Sequence, residues 1–175
     1  MINLQEIGGD VVATGSGTAD LTELDLDFES FGAAFIAPPS SNILIGTSES
    51  SGFHSSIAGP TSFGSGSTLA PNSSVGTRWG VFDSFLVVPE DYDSGDFLSS
   101  TSTWNNTTLV DLGVTPGTYT WTWGSGINQD SLTLNAVGAT AVPEPSSLLL
   151  LGIGCCGLMH RRKSRGHVKE SNSSE

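Results

Sequence analysis

Along the first 141 residues, apolar and polar positions alternate in short runs that clusters of Gly, Ser, Asn and Pro keep interrupting. Leu24, Leu26 and Phe28 alternate with Asp25, Asp27 and Glu29, a period of two that predicts a strand with one wet face. Thr118-Tyr119-Thr120-Trp121-Thr122-Trp123 repeats the pattern, stopped by Gly124-Ser125-Gly126. Asn3–Ile7 and Asp10–Gly15 flank Gly8-Gly9, a hairpin signal. Phe31–Ile36 and Ile43–Gly46 are expected strands, divided by Pro38-Pro39 because proline cannot continue a ladder.

Thr47–Gly76 is dominated by Ser, Gly, Thr and Pro and predicts a long loop or irregular strands. Trp79–Val88 is the most hydrophobic stretch before the tail and predicts one central strand ending at Pro89. Phe97–Trp104 and Thr107–Leu112 follow as strands around an Asn105-Asn106 turn. Thr115-Pro116-Gly117 predicts a type II turn with Gly117 at positive φ. Ser131–Val137 closes the set, with Leu132 and Leu134 facing one way. About nine short strands predict an all-β domain, a sandwich or jelly roll, over 1–141.

The pattern changes at Val142. Val142-Pro143-Glu144-Pro145-Ser146-Ser147 is followed by a mostly apolar run, Leu148–Met159, and by His160-Arg161-Arg162-Lys163-Ser164-Arg165. The two prolines predict an extended linker. As a short hydrophobic helix, the apolar run would reach about 18 Å against a hydrocarbon core of about 30 Å. That length also suits a buried core helix. The polar end that follows offers no packing partner, and the flanking Arg161, Arg162, Lys163 and Arg165 read as the cytoplasmic stop of a marginal membrane anchor.

These three parts, in this order and spacing, resemble the PEP-CTERM sorting signal of exopolysaccharide-producing bacteria, over residues 142–175. The resemblance implies a transient partner, the membrane-embedded protease-transpeptidase exosortase, acting near Val142, Pro143, Glu144 and Pro145. It also implies an inner-membrane precursor and a product in the cell envelope, on the outer surface or outside the cell. Cys155-Cys156 within the apolar run and the long end Gly166–Glu175 depart from the family pattern. The stretches Gly9–Gly17 and Gly113–Gly124 are similar to the ectodomains of small PEP-CTERM proteins, a resemblance that carries over no catalytic residue. In those proteins the first stretch follows a cleaved signal peptide. Met1–Glu6 has no basic and apolar leader, so an upstream start is expected.

Charge divides at the same boundary. Residues 1–141 hold fifteen acidic side chains against Arg78 alone, −14; the tail holds three acidic and five basic, +2, within a whole-chain charge of −12. So acidic a domain repels phosphate backbones, which argues against nucleic acid as a partner. Both cysteines lie in the tail, so the domain has neither disulfide nor thiolate metal site. Cys155-Cys156 near Gly154 is no lipoprotein box, because such boxes sit behind an N-terminal leader.

Few residues point to chemistry. His54, the one histidine before the tail, reads as a solvated loop residue, and no Gly-x-Ser-x-Gly elbow accompanies it. Gly152–Gly157 matches G-x-G-x-x-G but lacks any βαβ context. Glu90–Asp96 reads as a turn of solvated acids; as a calcium loop it lacks the EF-hand glycine and glutamate, leaving weak calcium binding as the sole cofactor alternative. The acids between Asp20 and Glu29 form no recognised site, and a glycosidase pair would need a separation that sequence does not give. Tyr119, Trp121 and Trp123 share one strand face: core in a sandwich, or alternatively an aromatic platform for exopolysaccharide, as exposed Trp79 or Trp104 would also be. The expectation is a non-enzymatic envelope or biofilm-matrix protein without cofactor, with a carbohydrate-binding module as the alternative.

Overall fold

The structure, a computed structural model, describes residues 1–138. The expected linker and hydrophobic helix lie outside the described residues. Twelve strands form two six-stranded sheets, the expected all-β architecture with more strands than the turn signals mark.

The first sheet, A, runs β11-β12-β1-β2-β10-β7. Its strands are β1 (Ile2–Ile7), β2 (Asp10–Gly17), β7 (Ser73–Gly76), β10 (Leu98–Trp104), β11 (Gly117–Trp123) and β12 (Asp130–Val137). All its pairings are antiparallel except β1 with β12. Gly8 and Gly9, at φ 65° and 95°, turn β1 into β2 with both central residues in the left-handed region, the backbone a two-residue hairpin needs.

The second sheet, B, runs β3-β6-β9-β8-β5-β4 and is antiparallel throughout. It comprises β3 (Leu26–Gly32), β4 (Phe35–Ala37), β5 (Asn42–Ile45), β6 (Glu49–His54), β8 (Trp79–Phe82) and β9 (Phe85–Pro89). Pro38–Ser40 forms a single 3-10 turn between β4 and β5, so the two prolines divide the strands as expected.

Between the sheets lies one core. Ile2, Leu4, Val11 and Ala13 from sheet A meet Ile43, Ile45, Trp79, Val81, Leu86 and Val88 from sheet B, with Trp104, Trp121 and Trp123 closing it. At Gly15 the side chains of sheet B pack onto the backbone of sheet A: an added Cβ would lie 2.6 Å from both Ile45 and Trp79.

Five local expectations are corrected. Thr47–Gly76 contains β6, paired on both sides, because neighbours on β3 and β9 supply a ladder that Ser-Ser-Gly does not encode locally. Trp79–Val88 is a hairpin rather than one strand, turning at Asp83-Ser84 with Asp83 at φ 54°. Thr107–Leu112 is a run of turns. Asp111 accepts from the Thr108 N–H at 3.0 Å and its hydroxyl at 2.7 Å, which buries Leu109 and Leu112 without a ladder. Gly117 opens β11 rather than taking positive φ; Gly113, at φ 66°, turns the chain there.

The fifth correction concerns β3. Its register slips between Leu26 and Phe28, so Leu26 pairs with His54 but Phe28 with Phe53. One extra residue reverses the alternation. Leu24 joins the core between the sheets, while Phe28 stands on the opposite face of sheet B.

Sheet B is strongly curled. Only Ala33 and Ala34 connect β3 to β4, although these strands are its two edges. In a flat sheet five strand spacings would separate the edges by about 24 Å. Three Cα–Cα steps reach at most about 11 Å. The edges therefore draw together at that end, and the face turned away from sheet A becomes concave.

Candidate functional site

The aromatic strand faces inward. Trp121 is 1% exposed and Trp123 is buried, both in the core between the sheets. Ala58 bridges to Thr122, and a Cβ on neighbouring Gly59 would come within 2.4 Å of the Trp121 ring. The Trp123 indole N–H donates to the Asp20 carbonyl at 2.7 Å. Tyr119 is half-buried beside Phe63, its hydroxyl donating to the Thr115 carbonyl at 2.8 Å. Trp79 and Trp104 are also buried. For Tyr119, Trp121 and Trp123 the burial therefore agrees with the core reading and not with the alternative aromatic platform: a sandwich strand with one wet face turns its large rings inward, and Thr118, Thr120 and Thr122 look out.

The exposed aromatic surface is elsewhere, on the concave face of sheet B. Phe28 (β3), Phe53 (β6), Phe85 (β9), Phe82 (β8) and Phe35 (β4) stand together there, with Leu44 and Val87 beneath them. Phe28 stacks on Phe53 at 4.5 Å between centroids. Phe82 meets Phe53 edge-on at 5.8 Å and Phe35 at 6.1 Å. Phe28, Phe53, Phe82 and Phe35 border an open cup of about 470 Å³, completed by Phe31, Ala33 and Ala34, by Thr68 and Ala70 of the long loop, and by Arg78; Phe85 packs beside it.

Arg78, the sole basic residue before the tail, is 2% exposed. It immediately precedes β8 and reaches across the concave face towards β3. Its Nη2 donates to the Ser30 carbonyl at 3.2 Å, and its guanidinium carbon lies 5.7 Å from the Phe53 ring centre. Gly32 makes room for it: a Cβ there would fall 2.1 Å from Nη1. The buried Nε has no hydrogen-bond partner. Burial pulls the guanidinium pKa down and the charge of Glu49 raises it again. One Glu49 carboxylate oxygen is already engaged by the Arg78 backbone N–H.

His54 is not a loop residue. It ends β6 and is half-buried, its Nδ1 buried without a partner, and burial holds its pKa below the usual imidazole value. Glu90–Asp96 is organised around Tyr92, whose hydroxyl donates to the Asp96 carbonyl at 2.8 Å and accepts from the Ala19 N–H at 2.7 Å. Among the described residues no three or more His, Cys, Asp or Glu side chains gather to hold a metal ion, and no helix is long and apolar enough to cross a membrane. Val142, Pro143, Glu144 and Pro145, with Arg161, Arg162, Lys163 and Arg165, lie outside the described residues.

The cup was missed by sequence reasoning, although two signals for it exist. Arg78 stands alone in an acidic domain next to its most hydrophobic run, and the phenylalanines recur on strands whose other face is already aliphatic.

The described domain is thus a β-sandwich followed by a chemically distinct tail. Residues 141–163 match the PEP-CTERM protein-sorting motif. This is a protein that carries a PEP-CTERM sorting signal, the mark of export through the membrane and of sorting by exosortase. No curated protein and no solved structure matches the chain.

Proposed function

We propose that the chain is a non-enzymatic envelope or extracellular-matrix protein, delivered and cut through its tail. The observation that carries this is the sorting motif at residues 141–163, following an acidic sandwich. Fifteen of the eighteen acidic side chains and none of the basic cluster lie ahead of the motif, so the domain suits an aqueous exterior, and Arg161–Arg165 suits the cytoplasmic flank. Cleavage beside Pro143-Glu144-Pro145 would release the domain from its short apolar segment. The carbohydrate-binding alternative rested on Trp121 and Trp123 standing outside, and they pack inside.

The test is mass spectrometry of the mature protein from a host with exosortase. A C-terminus near Pro145, with residues 148–175 missing, is expected. Replacing Glu144 and Pro145 by alanine should leave the precursor in the inner membrane. An intact Glu175 terminus in the mature envelope fraction would reduce the tail to a plain anchor.

A further inference from the structure

We propose that the cup of sheet B binds a small amphiphilic carboxylate, with its apolar body on the phenylalanines and its carboxylate on Arg78. The cup has what a built ligand site needs: a concave apolar wall and one polar group fixed at its end. A sheet face turned away from the core is ordinarily polar in an antiparallel sandwich. Here it carries Phe28, Phe35, Phe53, Phe82 and Phe85, and the curl imposed by Ala33-Ala34 keeps the first four around one space.

Charge selects the occupant. Burying a guanidinium costs free energy unless its donors are used. A guanidinium has five N–H donors, and among the described residues the Arg78 side chain makes one hydrogen bond, to Ser30. Glu49 acts on it electrostatically but spends a carboxylate oxygen on the backbone. An arginine so placed keeps donors to spare for an anion in the cup, and a carboxylate matches its planar fork. The remaining field of the domain is negative, which disfavours a multiply charged ligand. A monoanion with an aliphatic or aromatic body satisfies both the rings and the guanidinium.

Isothermal titration of the full chain with decanoate, decanol and decyltrimethylammonium, all below their micellar concentrations, tests this. Decanoate should bind one per chain, decanol at least about tenfold more weakly, and the cation no better than decanol. Arg78→Met keeps the apolar stem and should abolish the preference for acid over alcohol. Ala70→Phe, on the exposed rim, should block decanoate by filling the cup. It also serves as the deciding variant where Arg78→Met fails to fold. The tail is common to every variant, so binding to it is a constant background. Equal affinity for decanoate and decanol, an acid preference that survives in folded Arg78→Met, or unchanged binding in Ala70→Phe would each overturn the proposal.

Discussion

The two faces of sheet B are both apolar, yet they are built differently. The face toward sheet A is mainly aliphatic, with one tryptophan, and closed to water: Ile43, Ile45, Val81, Leu86, Val88 and Trp79. The concave face is made of phenylalanines, several of them half-exposed, around one buried cation. The same strands supply both, because period two sends alternate residues to opposite sides. Phe53 faces the cup while Gly52 and His54, its neighbours, face the other way. Burying one side suffices to hold a sandwich together. The second apolar face therefore calls for a different explanation, and a ligand supplies one.

If the core between the sheets carries the stability, the largest effect belongs to a large ring sealed within it. Trp121→Ala should cost about 3–5 kcal/mol, since it leaves a cavity that the flanking Ala58-Gly59 segment can only partly close. Urea denaturation measures it. A loss under about 1 kcal/mol would mean that the ring is not packed as described, and would erase the contrast between the faces.

Phe82→Ala, on the cup side of sheet B, should cost less, about 1–2 kcal/mol, because the ring is half-buried and loses edge-to-face contacts with Phe35 and Phe53. The same denaturation series compares it with Trp121→Ala. Equal losses would show both faces serving as core.

How much of this was legible depends on how local each cause is. The alternation of Thr118–Trp123 and the Gly8-Gly9 turn act over a few residues, so the all-β class and the first hairpin could be read directly. β6 could not: Ser50, Ser51 and Gly52 have weak strand preference, and only pairing with β3 and β9 makes them a ladder. The slip at Asp27 is equally silent, and it alone decides that Phe28 joins the cup while Leu24 joins the core. The cup itself arises from a two-residue link between sheet edges and from contacts far apart in sequence, such as Arg78 with Ser30. For the tryptophans, core is the expected reading of a sandwich strand, but alternation alone says that two faces differ without saying which is wet. The sorting motif was fully legible, since it is read as sequence.

The smallest expected effect is a pH dependence confined to the inner side of sheet B. His54 ends β6 opposite Leu26 and Leu86, and its Nε2 lies 3.1 Å from where a Gly52 Cβ would stand. Burial lowers its pKa in the folded protein. The unfolded chain therefore takes up the proton first, from about pH 6.5 downward. Between that value and the lower folded pKa the unfolded state binds more protons, so stability falls as pH falls and rises as pH rises. Asp20 and Asp111 do not enter this window. Hydrogen bonds from the Thr22 and Thr108 side chains hold their carboxyls below the usual range, and stability linked to them is lost only as pH drops below about 4. The thermal midpoint of the wild type should thus decline from pH 7 to pH 5.5 more than that of His54→Leu, which has no imidazole to charge. Melting curves of the two proteins that fall in parallel over this range would place His54 in water, and would remove the last distinction between the sealed and the open face.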